Sequence, residues 1–368
     1  MKFRLECVGE QFCQLYFGFD ASEVNDMFIK YNEDGSLEEV TTDKIIETIE
    51  DVINDKFDEL DVTLVGPRKT SIITRVEKGK PLLGITKSCI LPDDINISLP
   101  TFIPEELYEF KVEESSIDNF VHNVLIENNL YDLKDIKIVD DDCVVTYDLR
   151  YVKDDLIINE IKDQTTDVDD EDDIDLDKFM GKRINNEIVI DKDEVDTIAK
   201  ITRIQKKVPY ELTNEVVSKL KIGSKTPKGF IEKVRNVLEF QKDIQIAMYF
   251  IIESISKSEQ IKFDDVVVNF LLESFPETNE CDKDLVINSS KKMLICEYLV
   301  KVVELKTGSE GIISEALQKK IDESSRLFFL ADGRRSQSFL RTLFEDQIDQ
   351  IKVLEYCKES GLISNIKL

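Results

Sequence analysis

The sequence predicts an α+β multidomain chain: a small α+β N-terminal domain, a small β-rich domain and an all-α C-terminal region. Three observations lead there. Apolar residues alternate at the start, in Phe3, Leu5 and Cys7 and then Cys13, Leu15 and Phe17. Alternation returns between residues 139 and 207, in short stretches such as "NEIVI" and "TIAKITRI". Beyond Pro209 the apolar spacing becomes helical and stays so. With 368 residues, 42 % of them apolar, the chain can bury more than one core.

The opening alternation reads as two strands joined by a turn near Gly9. "ASEVNDMFIKYNE" follows as a short helix with Ser22 as its cap. "TTDKIIETIEDVINDKFDEL" is a clearer helix, capped by Thr42, with Ile45, Ile49, Val52 and Ile53 on one face. "SIITRVEKGKPLLGITKSCIL" and "INISLP" are strand-like, closing a first domain over 1–110. A linker helix over 111–138 carries the stripe Ile117, Phe120, Val121, Val124 and Leu125. The β segment 139–207 contains the strand "KIVDDDCVVTYDLRYV" and an acidic interruption in which eight of the eleven residues Asp167 to Asp177 are acids. In its last strand Ile201, Arg203 and Gln205 are expected on one face, Thr202 and Ile204 on the other. Pro209 ends the strand, because it donates no N–H and keeps Val208 extended. Leu212, Val216 and Leu220 then start the helical region 208–368, whose long helix "GFIEKVRNVLEFQKDIQIAMYFIIESI" is followed by four more.

Charge narrows the possible partners. There are 76 acidic and 48 basic residues, a net charge of −28, and such a field repels nucleic acid and anionic membrane while favouring basic partners. No apolar run is long enough for a membrane span, and "MKFRLECVGEQF" lacks that of a signal peptide. Seven scattered cysteines without a C-x-x-C read as reduced thiols in a cytoplasm-like compartment; a Cys7–Cys13 disulfide is the less favoured alternative.

Motifs for chemistry are missing. There is no phosphate loop, nucleophile elbow or zinc spacing, so no cofactor, metal or catalytic residue is expected. His122 stands alone beside an apolar face and reads as a boundary residue. "DVDDEDDIDLD" lacks the glycine and spaced glutamate of a calcium loop and reads as solvated acid. Arg334, Arg335 and Arg341 form the densest arginine cluster, read as a joint between helices, or else as a contact for an acidic partner.

The junction "ITRIQKKVPYELTNEVVSKL" resembles the crossing from the FKBP-like domain to the helical arms in the trigger factor family of bacterial chaperones, with Pro209, Glu211 and Leu212 in the matching places. "DKFMGKRINNEIVI" resembles that family's L-x-G-x-x-x-G-E stretch through Gly181, Lys182 and Glu187. "DVTLVGPRKTSI" resembles its P-V-G-x-P crossing before the third strand. "LPTFIPEELYEFKVEESSIDNFVHNVLIENNLYDLKDIKIVDDDCVVTYDL" is similar to the lead between its first two domains. The order of these pieces, over nearly the whole chain, matches the family better than any one motif does.

The resemblance implies a chaperone fold whose helical arms hold unfolded or nascent polypeptides through apolar patches. Met248, Phe250, Phe270, Phe275, Met293, Phe328, Phe329, Phe339 and Phe344 are the candidate contacts, with inter-helix core the competing reading for each. Two departures qualify what is inherited. The family's ribosome-docking loop, G-F-R-x-G-x-x-P, is replaced by "YNEDGSLEEVTTDK", with neither arginine nor proline. The β segment 139–207, read through the resemblance as a degenerate, reduced FKBP-like domain, offers only Tyr147, Tyr151 and Phe179 as aromatics for a prolyl isomerase cleft. The expected function is ATP-independent holding without isomerase activity; an alternative is a phage virion or assembly protein that uses the fold as scaffold, and an active isomerase is the weaker third. Residues 1–110 carry 23 acids against 11 bases. The purified protein is therefore expected not to co-sediment with bacterial ribosomes at physiological salt. Saturable binding to the large subunit in a sucrose-cushion assay would contradict this.

Overall fold

The computed structural model describes residues 1–31, 37–39, 41–92, 97–153, 156–167, 178–192, 195–258, 261–274, 283–308, 313–332 and 337–368, the side chains of 29–31, 37–39, 43 and 337–345 excepted. The chain is α+β, with antiparallel sheets and a helix-rich C-terminal part. It divides into two compact units, each assembled from separate stretches. Unit 1 comprises Met1–Tyr108, Asp243–Ile313 and Ile348–Leu368; unit 2 comprises Glu109–Lys242 and Ser314–Gln347. The stretch 208–368 is thus shared between both units.

Unit 1 begins with β1 (Lys2–Cys7), β2 (Phe12–Phe19), α1 (Ala21–Met27), β3 (Ile29–Tyr31), β4 (Leu37–Glu39), α2 (Thr42–Glu59), β5 (Leu64–Ile72) and β6 (Leu82–Ile90). β1, β2, β6 and β5 form an antiparallel sheet in that order. The expected first helix is shorter than its quoted stretch, because Ile29–Tyr31 pairs with Leu37–Glu39 as a hairpin. Its cap is Asp20, not Ser22: the Asp20 carboxylate accepts from the Ser22 and Glu23 amides at 2.9 and 3.0 Å. Glu23 accepts in return from the Asp20 N–H at 2.9 Å, closing a capping box. The Glu23 amide, then the Ser22 hydroxyl, hold the Asp20 carboxyl below its ordinary pKa. The cap position of α2 falls on Thr41 rather than Thr42, without a side-chain bond. "INISLP" forms no strand over the described residues 97–100; Ile95 and Asn96 lie outside the description.

Both faces of this sheet are covered. Leu15, Phe17 and Phe19 of β2 pack against Ile45, Ile49, Ile53 and Phe57 of α2, so the predicted stripe is core and runs one turn further. Phe12, pointing the other way, joins Val65 and Cys89 under α6 (Asp265–Ser274) and α7 (Lys283–Thr307), through Val267, Phe270, Leu271, Leu294 and Tyr298. Gly66 sits at a register shift in β5 with φ +72°, and a Cβ there would run into Leu294. "DVTLVGPRKTSI" is therefore largely a bulged strand, and the freed Gly66 N–H donates to the Glu297 carboxylate. The Gln11 amide donates to the Lys262 carbonyl at 2.9 Å and accepts from the Asp264 N–H at 3.0 Å, tying the β1–β2 turn to the start of α6.

Unit 2 contains α3 (Glu114–Glu127), β7 (Tyr131–Asp135), β8 (Cys143–Lys153), β9 (Leu156–Asp167), β10 (Glu187–Asp191), β11 (Asp196–Pro209) and α4 (Asn214–Lys219). Then come α5 (Pro227–Lys257), which leaves the unit after Lys242, and α8 (Glu315–Ala331); α9 (Gln337–Glu359) starts here and passes into unit 1. The sheet order is β10-β11-β8-β9, with β7 also beside β11, all antiparallel. β7 and β9 were not legible as strands: β7 has little apolar alternation, and β9 ends inside the acidic interruption, so Asp163–Asp167 is strand. The rest of that interruption, 168–177, lies outside the described residues. The expected alternation in β11 fails because its register shifts at Thr202, between Ile201 and Arg203. The shift puts Ile204 with Ile201 in the core and leaves Arg203 exposed.

One face of this sheet buries Val145, Tyr147, Ile188, Ala199, Ile201 and Ile204 around Phe179. A separate helical core joins the predicted stripe of α3 to Val216, Val217 and Leu220 of α4, to Phe230, Val234 and Val237 of α5, and to Leu327 of α8. The segment read as a linker helix is thus a core element of unit 2. α5 begins at Pro227, where the missing N–H costs nothing, and Thr226 accepts from the Gly229 N–H at 3.2 Å.

Burial pushes the Cys13 and Cys89 thiols up to about 12. Both then stay protonated in the folded chain above their ordinary value of 9.0, while the unfolded chain loses those protons. Stability from these groups is complete below that value and falls as pH rises past it. A Cys13→Ala/Cys89→Ala variant is therefore expected to lose less of its urea midpoint than the parent between about pH 8 and about pH 10. An equal loss in both proteins would refute the assignment.

Candidate client-binding surface

The candidate contacts do not form one open patch. Met248 and Phe270 are each 3 % exposed, and Phe270 packs against Phe12 with ring centroids 5.2 Å apart. Phe328 is half-buried, edge-on to Phe120 at 5.3 Å. Met248 and Phe270 are thus core in this fold, and Phe328 packs at the edge of the helical core, the competing reading given for each. Phe250 is half-buried, whereas Met293 and Phe329 are exposed. Phe275 and the side chains of Phe339 and Phe344 lie outside the described residues, as do Arg334, Arg335 and the Arg341 side chain.

The other singled-out residues have structural partners. His122 Nε2 lies 2.7 Å from Asp142 Oδ2. Tyr147 and Phe179, the candidate cleft aromatics, are buried against one another at 5.4 Å, and Tyr151 is half-buried. Among the described residues no three ligating side chains group as a metal site would need. No helix is long and apolar enough to cross a membrane among those residues.

Exposed apolar surface sits elsewhere. Leu156, Ile157 and Ile158, consecutive on β9, are 70, 57 and 58 % exposed. β9 pairs with β8 on one side, and among the described residues no strand pairs with its other side. Its two ends differ. Near the C-terminal end Thr166 is buried, and Asp167 pairs with Lys207, whose side chain is 1 % exposed. The Lys207 ammonium also stands 5.8 Å from the centre of the Tyr131 ring. At mid-strand Arg150 of β8 donates to Glu160 at 2.9 Å and to Glu187 of β10 at 3.3 Å. At the start of β9 the side chains of Leu156, Ile157 and Ile158 are hydrocarbon and can make no such polar tie. No sequence reading singled out this strand; "LII" between "KDD" and "NEIKD" was the available signal.

Unit 1 adds exposed residues on its helices: Tyr249 on α5, and Leu285, Met293 and Leu305 on α7. Glu253 holds these helices together, accepting from Lys292 and, 3.3 Å away, facing Lys257. Lys292, above all, keeps the Glu253 carboxyl below its ordinary pKa. The same ammonium lies 5.8 Å from the Tyr249 ring centre, so Tyr249 borders α7.

No protein-family model matches the chain, and no curated protein matches it. Among solved structures it is similar to one of the trigger factor chaperone, described in terms of promiscuous substrate recognition in folding and assembly activities. The similarity covers 96 % of this chain and 100 % of that one, at 10 % identity and a TM-score of 0.29.

The Lys207–Asp167 pair makes a directional prediction. Removing the carboxylate leaves a buried ammonium short of its counter-charge, whereas replacing the lysine by an apolar side chain of similar length removes the buried charge itself. Asp167→Ala is expected to destabilise unit 2 by about 3 kcal/mol and Lys207→Met by less than about 1 kcal/mol. Urea unfolding followed by hydrogen exchange in β8 and β9 checks this; equal losses would count against the pair as the anchor of β9.

Proposed function

We propose that this chain is an ATP-independent holding chaperone of trigger factor type, which binds unfolded or newly made polypeptides reversibly and without prolyl isomerisation. The observation that carries the reading is the exposed run Leu156, Ile157 and Ile158 on an edge strand of a chain with net charge −28. Apolar side chains left in water gain roughly 25 cal/mol per Å² when a client covers them. Ordering costs of the client consume much of that gain. A short strand offers far less than the roughly 1,200–2,000 Å² of a stable complex, so contact should be weak and exchangeable. The surrounding negative charge keeps the apolar run from nucleating self-association and selects clients with basic residues. Exposed Tyr249, Leu285, Met293 and Leu305 offer a separate set of apolar contacts on the helices of unit 1. The motifs around Pro209 support the same class.

Light scattering of a thermally denatured test enzyme is the direct check. The full chain is expected to suppress aggregation in a dose-dependent manner, equally with and without ATP. Leu156→Ser/Ile158→Ser should weaken suppression by about half while leaving the melting temperature within about 1 °C, because these side chains are already solvated. If the full chain suppresses nothing and binds one folded protein stoichiometrically, an assembly or scaffold role replaces the chaperone reading.

A further inference from the structure

We propose that β9 takes up client segments by strand addition: an extended stretch with lysine or arginine interspersed among apolar residues pairs antiparallel along Leu156–Ile161. This rests on the chaperone reading and specifies where and how a client is held. A strand paired on one side only leaves alternate N–H and C=O groups pointing away from the sheet, ready to form a second ladder. β9 is 12 residues long and is bordered by β8 alone among the described strands.

The two halves of that edge are unequal. Its far half has Asp163 at φ +54° beside a register shift, with the Asp163 N–H turned onto the Asp148 carboxylate at 3.2 Å. Such a bulge blocks continuation of a regular ladder, which is how natural sheets protect their edges. Between Leu156 and Ile161 there is no proline and no lysine, and the one charge, Glu160, is engaged by Arg150. The register slips at Ile158, so three consecutive apolar side chains stand in solvent. An unprotected edge carrying apolar side chains offers main-chain bonds for affinity and side-chain contacts for selection, the two components of recognition by strand addition.

Charge decides the occupant. From Asp154 to Asp177 the sequence has 12 acids and one base, Lys162. A second copy of this chain would bring two such stretches alongside one another, and like charges across paired strands are destabilising. A basic, extended segment meets the opposite field and is drawn to it at low salt. Because the backbone supplies the bonds, many apolar–basic sequences fit, which suits a holding function.

The test uses the full-length protein and a dye-labelled peptide alternating lysine and valine, read by fluorescence anisotropy. Two controls accompany it: the same peptide with alternate backbone amides N-methylated, and its glutamate–valine counterpart. The lysine–valine peptide is expected to bind, more weakly as salt rises, and to slow hydrogen exchange of amides in 156–161. N-methylation and the variant Ile157→Lys/Ile158→Lys should each weaken binding by about tenfold or more, with the melt of the variant unchanged. Equal binding of the N-methylated peptide would overturn strand addition. So would binding insensitive to the β9 variant, or a concentration-dependent dimer in sedimentation velocity that the variant abolishes. Aggregation suppression separates the two readings: if the parent suppresses and the β9 variant suppresses less, yet N-methylation leaves peptide binding unchanged and no peptide protects 156–161, strand addition fails and the chaperone reading stands.

Discussion

The ammonium of Lys207 is almost wholly withdrawn from solvent, and its partner Asp167 closes the C-terminal end of β9. A buried charge must keep its counter-charge or lose several kcal/mol, so this pair holds the end of β9 against β8 and β11. The Lys207 N–H also donates to the Asp142 carbonyl at 2.8 Å, and Asp142 in turn meets His122 of α3. One lysine thereby joins the central strand, the edge strand and the loop beneath α3. The other end of β9 can then remain apolar and open without the hairpin losing its register, because the register is fixed at the far end.

The same requirement for burial explains why the helical region offers fewer free aromatics than its composition suggests. The sheet of unit 1 presents apolar side chains on both faces. α2 covers one; Phe12, Val65 and Cys89 on the other require Phe270, Leu271, Leu294 and Tyr298 from α6 and α7. In unit 2, Phe328 is similarly drawn toward Phe120. Methionine and phenylalanine are suited both to adaptable surfaces and to filling irregular cores. Among the exposed apolar residues, Leu156, Ile157 and Ile158 stand out as three consecutive aliphatic side chains on one strand, whereas Tyr249, Leu305 and Phe329 are exposed on helices.

The acidic balance links these observations to function. A surface of net charge −28 resists self-association through the open edge, and it disfavours phosphate-rich partners. Prolyl isomerase chemistry would need a cleft able to receive a proline ring, whereas Tyr147 and Phe179 spend their rings on one another. The proposed holding through a charged, apolar edge needs no such cleft.

By itself the sequence determined the α+β class, the helices α2 and α3 with their buried stripes, the opening hairpin and the change to helix after Pro209. Each of these rests on local periodicity or on the backbone limits of proline, which neighbouring residues suffice to express. The caps at Asp20 and Thr41, two positions and one position from those expected, lie within the ordinary uncertainty of a helix boundary. Only the tertiary structure decided the rest. Periodicity reports that a side chain needs cover but not which element supplies it, so Met248, Phe270 and Phe328 could be read equally as surface or core. The bulge at Thr202 reversed the face of Ile204 through pairing with β8, a partner more than fifty residues away. β9 was hidden because an exposed edge strand needs no amphipathic pattern: it is held by pairing with β8, the strand before it, and by the Lys207–Asp167 pair, whose residues are 40 positions apart.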